Sequence, residues 1–116
     1  MPTYSDQFKT HLLQNKPLIG TFLKIPTGHA TEMLGAIGYD FVIIDQEHAP
    51  FDRLSTDQTL LAAKAWDIDA LVRVPSALPE HILSALDGGA TGILVPHVQS
   101  AEQATSAVKA AKYHAG

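Results

Sequence analysis

No cysteine occurs among the 116 residues, which excludes disulfides, thiolate metal sites and a cysteine nucleophile and leaves the redox compartment open. Long hydrophobic runs are missing too. The opening MPTYSDQFKTHLLQNK is too polar for the apolar region of a signal peptide, and no apolar stretch approaches the roughly 20 residues of a membrane span. A cytoplasmic protein without membrane contact is the expectation. Positive charge is scarce: eight Lys and Arg stand against twelve Asp and Glu, with no basic cluster to neutralise a phosphate backbone, so nucleic acid is not expected as a partner. There is no low-complexity tract and no Pro/Gly/Ser linker. The length, with 46% hydrophobic residues, suits one small domain and one core spanning 1–116.

What is present is a repeated order of helical stretch, Gly or Asp turn, and short apolar run. Ser5 is placed to cap a first helix carrying Phe8, Leu12 and Leu13, closed by Asn15 and Pro17 before an apolar run at 18–23. Residues 29–37 set Met33, Leu34 and Ile37 on one helical face, with Gly38 where a left-handed C-terminal residue belongs, and the apolar run 41–44 follows. A helix over 54–66 leads through Asp67 to Asp69 into a third run at 70–74. Pro79 then opens a helix with Ile82, Leu83 and Leu86 inward, ended by Gly88 and Gly89, and 92–95 is the fourth run. Ser100 with Gln103 makes a capping box for a last helix on which Ala104, Val108 and Ala111 repeat.

Continuous apolar strands separated by helices imply parallel neighbours buried on both faces, and therefore an α/β class. An open doubly wound sheet and a (β/α)8 barrel both satisfy this, and both place chemistry at the carboxyl ends of their strands. No Gly-rich phosphate loop follows the first strand, where LKIPTGHA holds a single glycine, so the barrel is favoured. The ionisable residues fall where either architecture would use them. IIDQEHAPF runs from a buried strand straight into Asp45, Glu47 and His48; Arg73 stands near the end of the third strand; Pro96, His97 and Gln99 follow the fourth. Taken singly these have ordinary explanations. His48 would be a surface histidine, Arg73 a salt-bridge partner of the carboxylates, and Asp87, just before Gly88, a turn residue at a helix end. His97 has no second histidine at ligand spacing and is expected to line the mouth of the site or satisfy backbone. His11, His29, His81 and His114 fall on helices or their ends and are expected to face solvent.

Taken together, I-D-x-E-H-A-P, then V-R-V at the end of the next strand, then L-D-G-G-A and L-V-P-H-V-Q, resemble the metal-dependent pyruvate aldolases of the HpcH/HpaI family, which act on 4-hydroxy-2-oxo acids and 2-keto-3-deoxy sugar acids. The resemblance runs from Ile19 and Gly20 to Tyr113. It implies a (β/α)8 barrel, a divalent metal (Mg²⁺, Mn²⁺ or Co²⁺) chelating the oxygens of pyruvate, pyruvate and a small aldehyde or oxo acid as partners, and a homo-oligomer, trimer or hexamer. It also assigns roles: His48 as general base, Arg73 as the residue that binds substrate and stabilises developing charge, Asp87 as a carboxylate raising the basicity of the histidine, and Asp45 as the motif's own acid beside the base. Gln46 stands where the family often has glycine, at a permissive position. The family's metal ligands, a Glu and an Asp, match nothing before Gly116, so no metal ligand is expected in this chain.

The expectation that follows is the first half of a (β/α)8 barrel, about four β/α units with an N-terminal helix, since a complete barrel takes about 250 residues. The activity implied is reversible aldol cleavage to pyruvate and an aldehyde by the whole enzyme, with the 116-residue chain alone inactive. The alternatives are another carbon-carbon lyase of the citrate-lyase and phosphoenolpyruvate superfamily, or a fragment whose only role is assembly.

Overall fold

The structure is a computed structural model that describes the backbone of residues 4–115 and the side chains of residues 7–112. Among the described residues five helices alternate with four strands: α1 (Tyr4–Leu13), β1 (Gly20–Leu23), α2 (Gly28–Ile37), β2 (Phe41–Asp45), α3 (Arg53–Ala65), β3 (Asp69–Arg73), α4 (Pro79–Asp87), β4 (Gly92–Leu94) and α5 (Ala101–Ala115). The strands form one parallel sheet in the order β1-β2-β3-β4, as their apolar runs predict. Among the described residues no helix is long and apolar enough to cross a membrane.

Local chemistry sets most boundaries. Thr27 caps α2 by accepting from the backbone N–H of His29, and Gly38, at φ 100°, ends it in the left-handed conformation that glycine adopts without a steric penalty. Asp52 and Ser55 form a reciprocal capping box on α3. At α5 the box is displaced by one residue: Ser100 Oγ accepts from Gln103 N at 3.1 Å, but the Gln103 side chain turns back to the N–H of Gln99 instead of Ser100. β1 begins two residues into its apolar run: Ile19 N–H bonds the Asp40 carboxylate at 2.8 Å, while the Ile19 carbonyl accepts from the N–H groups of Asp40 and Phe41. Ser5 and His114 lie outside the residues whose side chains are described.

One sheet face carries Leu23, Val42, Ile44, Ala70 and Val72 against the helices, where Leu60, Ala63, Ile82, Ala85, Ala107 and Ala110 complete the core. Val42, Ile44, Val72 and Ile82 are wholly buried, each contributing about 1.5–3 kcal/mol. The register Phe22↔Ile43↔Leu71↔Gly92 defines the other face, the inner wall of the curve. At its amino end Phe8 of α1 meets Phe41 edge-on, with ring centroids 5.6 Å apart. Gly20 lies under the Phe41 ring, where any Cβ would collide with it.

Two helix faces differ from expectation. On α2 the inward residues are Thr31, Ala30 and Leu34, whereas Met33 and Ile37 are 69% and 72% exposed, because the helix turns its small residues onto α3 and the sheet. On α5 the buried pair is Ala107 and Ala110, with Ala104 and Val108 exposed; small side chains let this helix lie close to α4, and the longer Val108 faces out.

Candidate active site

The carboxyl edge of the sheet is organised by Asp45. Its side chain has no solvent exposure, and both oxygens are fully engaged. Oδ1 accepts from the backbone N–H of Glu47 at 3.0 Å, that of His48 at 2.9 Å, and Arg73 Nε at 3.0 Å; Oδ2 accepts from Arg73 Nη2 at 2.6 Å and from the Lys24 ammonium. The β2–β3 register produces the main contact, since Asp45 and Arg73 are direct neighbours and their side chains leave the same face. Arg73 beside it holds the Asp45 carboxyl well below the usual carboxylate range, against the upward pull of burial, with Lys24 and the two backbone N–H groups adding to the effect. The paired Asp45 in turn strengthens the hold of Arg73 on its proton.

A second carboxylate sits above the first. Glu47, 11% exposed, has Oε1 at 3.0 Å from His48 Nε2 and 3.7 Å from Arg73 Nε, and Oε2 at 2.8 Å from His97 Nε2. The Phe22 ring lines the cluster from β1, with the Arg73 guanidinium 4.7 Å and the Lys24 ammonium 5.4 Å from its centroid. The turn that carries Glu47 and His48 is anchored on both sides. Gln46 N–H bonds the carbonyl of Arg73 at 3.0 Å, and its side-chain amide donates at 2.9 Å to the buried Thr56 hydroxyl on α3. Position 46 is therefore more than permissive in this chain.

Asp45, His48 and Arg73 thus meet at one edge, and Asp87 does not join them. It ends α4, which runs back along the sheet toward the start of β4, where Thr91 bonds Ala70 and Asp69. The carboxylate beside the His48 ring is Glu47. Lys24 and Glu47 are residues that sequence reasoning left without a role, and His97, expected to line the mouth of the site or satisfy backbone, is found on the Glu47 carboxylate. Their shared signal is position, since each stands within three residues of the carboxyl end of a strand. Of the histidines expected in solvent, His29 is exposed, whereas His81 is half-buried with Nδ1 2.8 Å from Ser76 Oγ, and His11 is half-buried on α1.

Cations and imidazoles gathered on two carboxylates are suited to move a proton and to hold an oxyanion. They do not fit a metal centre. The oxygens of Asp45 are taken by donors and those of Glu47 by two imidazoles, and among the described residues no group of three or more His, Asp or Glu is arranged to hold a metal ion.

Residues 18–116 match the family described as HpcH/HpaI aldolase/citrate lyase. The chain is 38% identical over 113 residues to a hydroxypyruvate/pyruvate aldolase of Roseobacter denitrificans, covering 97% of this chain and 44% of that protein. It is 36% identical over 110 residues to a 5-keto-4-deoxy-D-glucarate aldolase of Klebsiella pneumoniae, covering 95% and 43%. The crystal structure of an HpcH/HpaI aldolase from Desulfitobacterium hafniense superposes with a TM-score of 0.84 at 33% identity, over 90% of this chain and 41% of that one. The chain spans less than half the length of these relatives, and its four-stranded sheet is the corresponding part of a (β/α)8 barrel.

Proposed function

From a chain that belongs to the HpcH/HpaI aldolase/citrate lyase family, we propose that the whole protein cleaves a 4-hydroxy-2-oxo acid or 2-keto-3-deoxy acid, reversibly, to pyruvate and an aldehyde. One observation carries this reading: a single buried carboxylate, Asp45, ties the side chain of Arg73 and the main chain of His48 to the same strand edge. Retro-aldol cleavage removes the proton of the C4 hydroxyl, breaks the C3–C4 bond, and moves that electron pair onto the C2 carbonyl as an enolate. His48 takes the hydroxyl proton, a role suited to imidazole because its ring nitrogens gain and lose protons readily near neutral pH. Arg73, permanently charged and planar, stabilises the oxyanion that develops. Asp45 fixes both, and Glu47 orients the imidazole.

Asp87 stands away from His48 in its own chain, so raising the basicity of that histidine requires a second copy, in keeping with a homo-oligomer, trimer or hexamer. The divalent metal of this reading, Mg²⁺, Mn²⁺ or Co²⁺, belongs on carboxylates outside residues 1–116; when bound it supplies Lewis-acid charge for the enolate. The family description joins aldolases with citrate lyase, which favours a second carbon-carbon lyase acting on another oxo or citrate-like acid as the alternative. Release of pyruvate from a panel of 4-hydroxy-2-oxo acids by the full-length protein, with each metal added, tests the proposal. No pyruvate from any member of the panel, with cleavage of a citrate-like acid instead, would replace it.

A further inference from the structure

His97 is one of three non-glycine residues at positive φ among the described residues, at 58°; the others are Asn15 and Asp67. Asn, Asp and His are the non-glycine residues found most often in the left-handed region, although the conformation costs each of them more than it costs glycine. Pro96 sets the first corner of the turn after β4, and the second corner, normally glycine's or asparagine's, is His97. Packing does not compel the choice, because the ring is 76% exposed. What the conformation achieves is direction: the ring crosses above β3 from the end of β4 and reaches Glu47, beyond the end of β2, at 2.8 Å.

With Oε2 held by His97, Glu47 presents Oε1 to His48 at 3.0 Å and keeps it 3.7 Å from Arg73, too far for a hydrogen bond. Freed from His97, the carboxylate loses one of its two anchors and is able to rotate away from the imidazole, since the Nε and Nη2 fork of Arg73 is already engaged by Asp45 and does not hold it. We infer that His97 is a positioning residue whose left-handed turn aims its ring at Glu47 and pins it, and that Glu47 so pinned orients the His48 ring. What this orientation serves rests on the aldol reading; the orientation itself does not.

The test uses the full chain labelled with ¹⁵N at histidine. Long-range ¹H–¹⁵N spectra report the hydrogen bonding of each ring nitrogen, and His97→Asn keeps a residue that tolerates the turn while removing the reach of the imidazole. The His48 ring signals are expected to move in His97→Asn and to move likewise in Glu47→Gln. His97→Gly, which accepts the turn but likewise removes the ring from Glu47, should move the His48 signals in the same way. His48 signals unchanged in His97→Asn, or in His97→Gly, would overturn the inference and make His97 a structural tie. This readout does not involve substrate, so failure of the aldol reading, seen as absent pyruvate release, stays distinguishable.

Discussion

Replacing Asp45 by Asn probes the hub of the site with almost no change of shape. The amide oxygen still accepts from the backbone N–H groups of Glu47 and His48, but the amide nitrogen now points donor to donor at Arg73 and Lys24. Removing one partner of a buried ion pair costs about 3–5 kcal/mol. Arg73 is 22% exposed and Lys24 53%, so water screens the two cations left behind and the expected cost at pH 7 falls to about 2–3 kcal/mol. In urea, with a slope of about 1–1.5 kcal/mol/M for a chain of this size, the midpoint should drop by about 2 M.

The pH dependence follows from the direction of the Asp45 shift. Its folded pKa is depressed below the usual 3.8, so its contribution is complete above that value and is lost as pH falls toward the folded pKa. The gap between parent and variant should therefore narrow by about 1 kcal/mol at pH 3 and by about 2 kcal/mol at pH 2. A loss under about 0.5 kcal/mol at pH 7, or a gap that does not narrow in acid, would refute the reasoning, because it would mean that the ion pair adds no more than a surface contact.

Thr31 on α2 is wholly buried, and its hydroxyl has no partner among the described residues; Thr31→Val should stabilise the fold by about 1 kcal/mol, read as a higher Tm, and a lower Tm would show that the hydroxyl is bonded. Burial first, and then Asp67 and Asp40, push the Asp69 carboxyl up to about 6, opposed by its bond from Thr91. A raised folded pKa means that stability is lost as pH rises from about 4 through about 6, so Asp69→Asn should gain on the parent across that window. The gain should be about 1 kcal/mol once screening at this half-buried site is allowed for, and a pH-independent difference in urea titrations would contradict it. In the full-length protein, Arg73→Lys should recover little of the aldol cleavage lost in Arg73→Ala, because a point charge on a flexible stem does not reproduce the fork; substantial recovery in steady-state assays would show that charge alone is needed.

Strand identity and order were legible because apolar runs such as 41–44 have few alternatives between helices. Helix faces were less so. Met33 and Ile37 fit a helical stripe, but Thr31 and Ala30 take the inner face because small side chains permit the close approach of α2 to α3. At the site, the convergence of Asp45, His48 and Arg73 followed from their places at adjacent strand ends. The links made by Lys24, Glu47 and His97 did not, since they depend on where long side chains turn after leaving the strands, and in the case of His97 on a positive φ at a position without glycine or asparagine. Asp87 shows the opposite limit: a motif position is visible in sequence, but the end of the sheet it occupies appears only once α4 is folded back.

The most direct measurement is the rate of pyruvate release from a 4-hydroxy-2-oxo acid by the full-length protein and its His48→Ala variant, at saturating metal. If His48 takes the hydroxyl proton, the variant should be slower by about 10²- to 10⁴-fold, the usual contribution of a general base, with metal affinity unchanged. Cleavage at close to the parent rate would place the base elsewhere and leave residues 45–50 a structural turn.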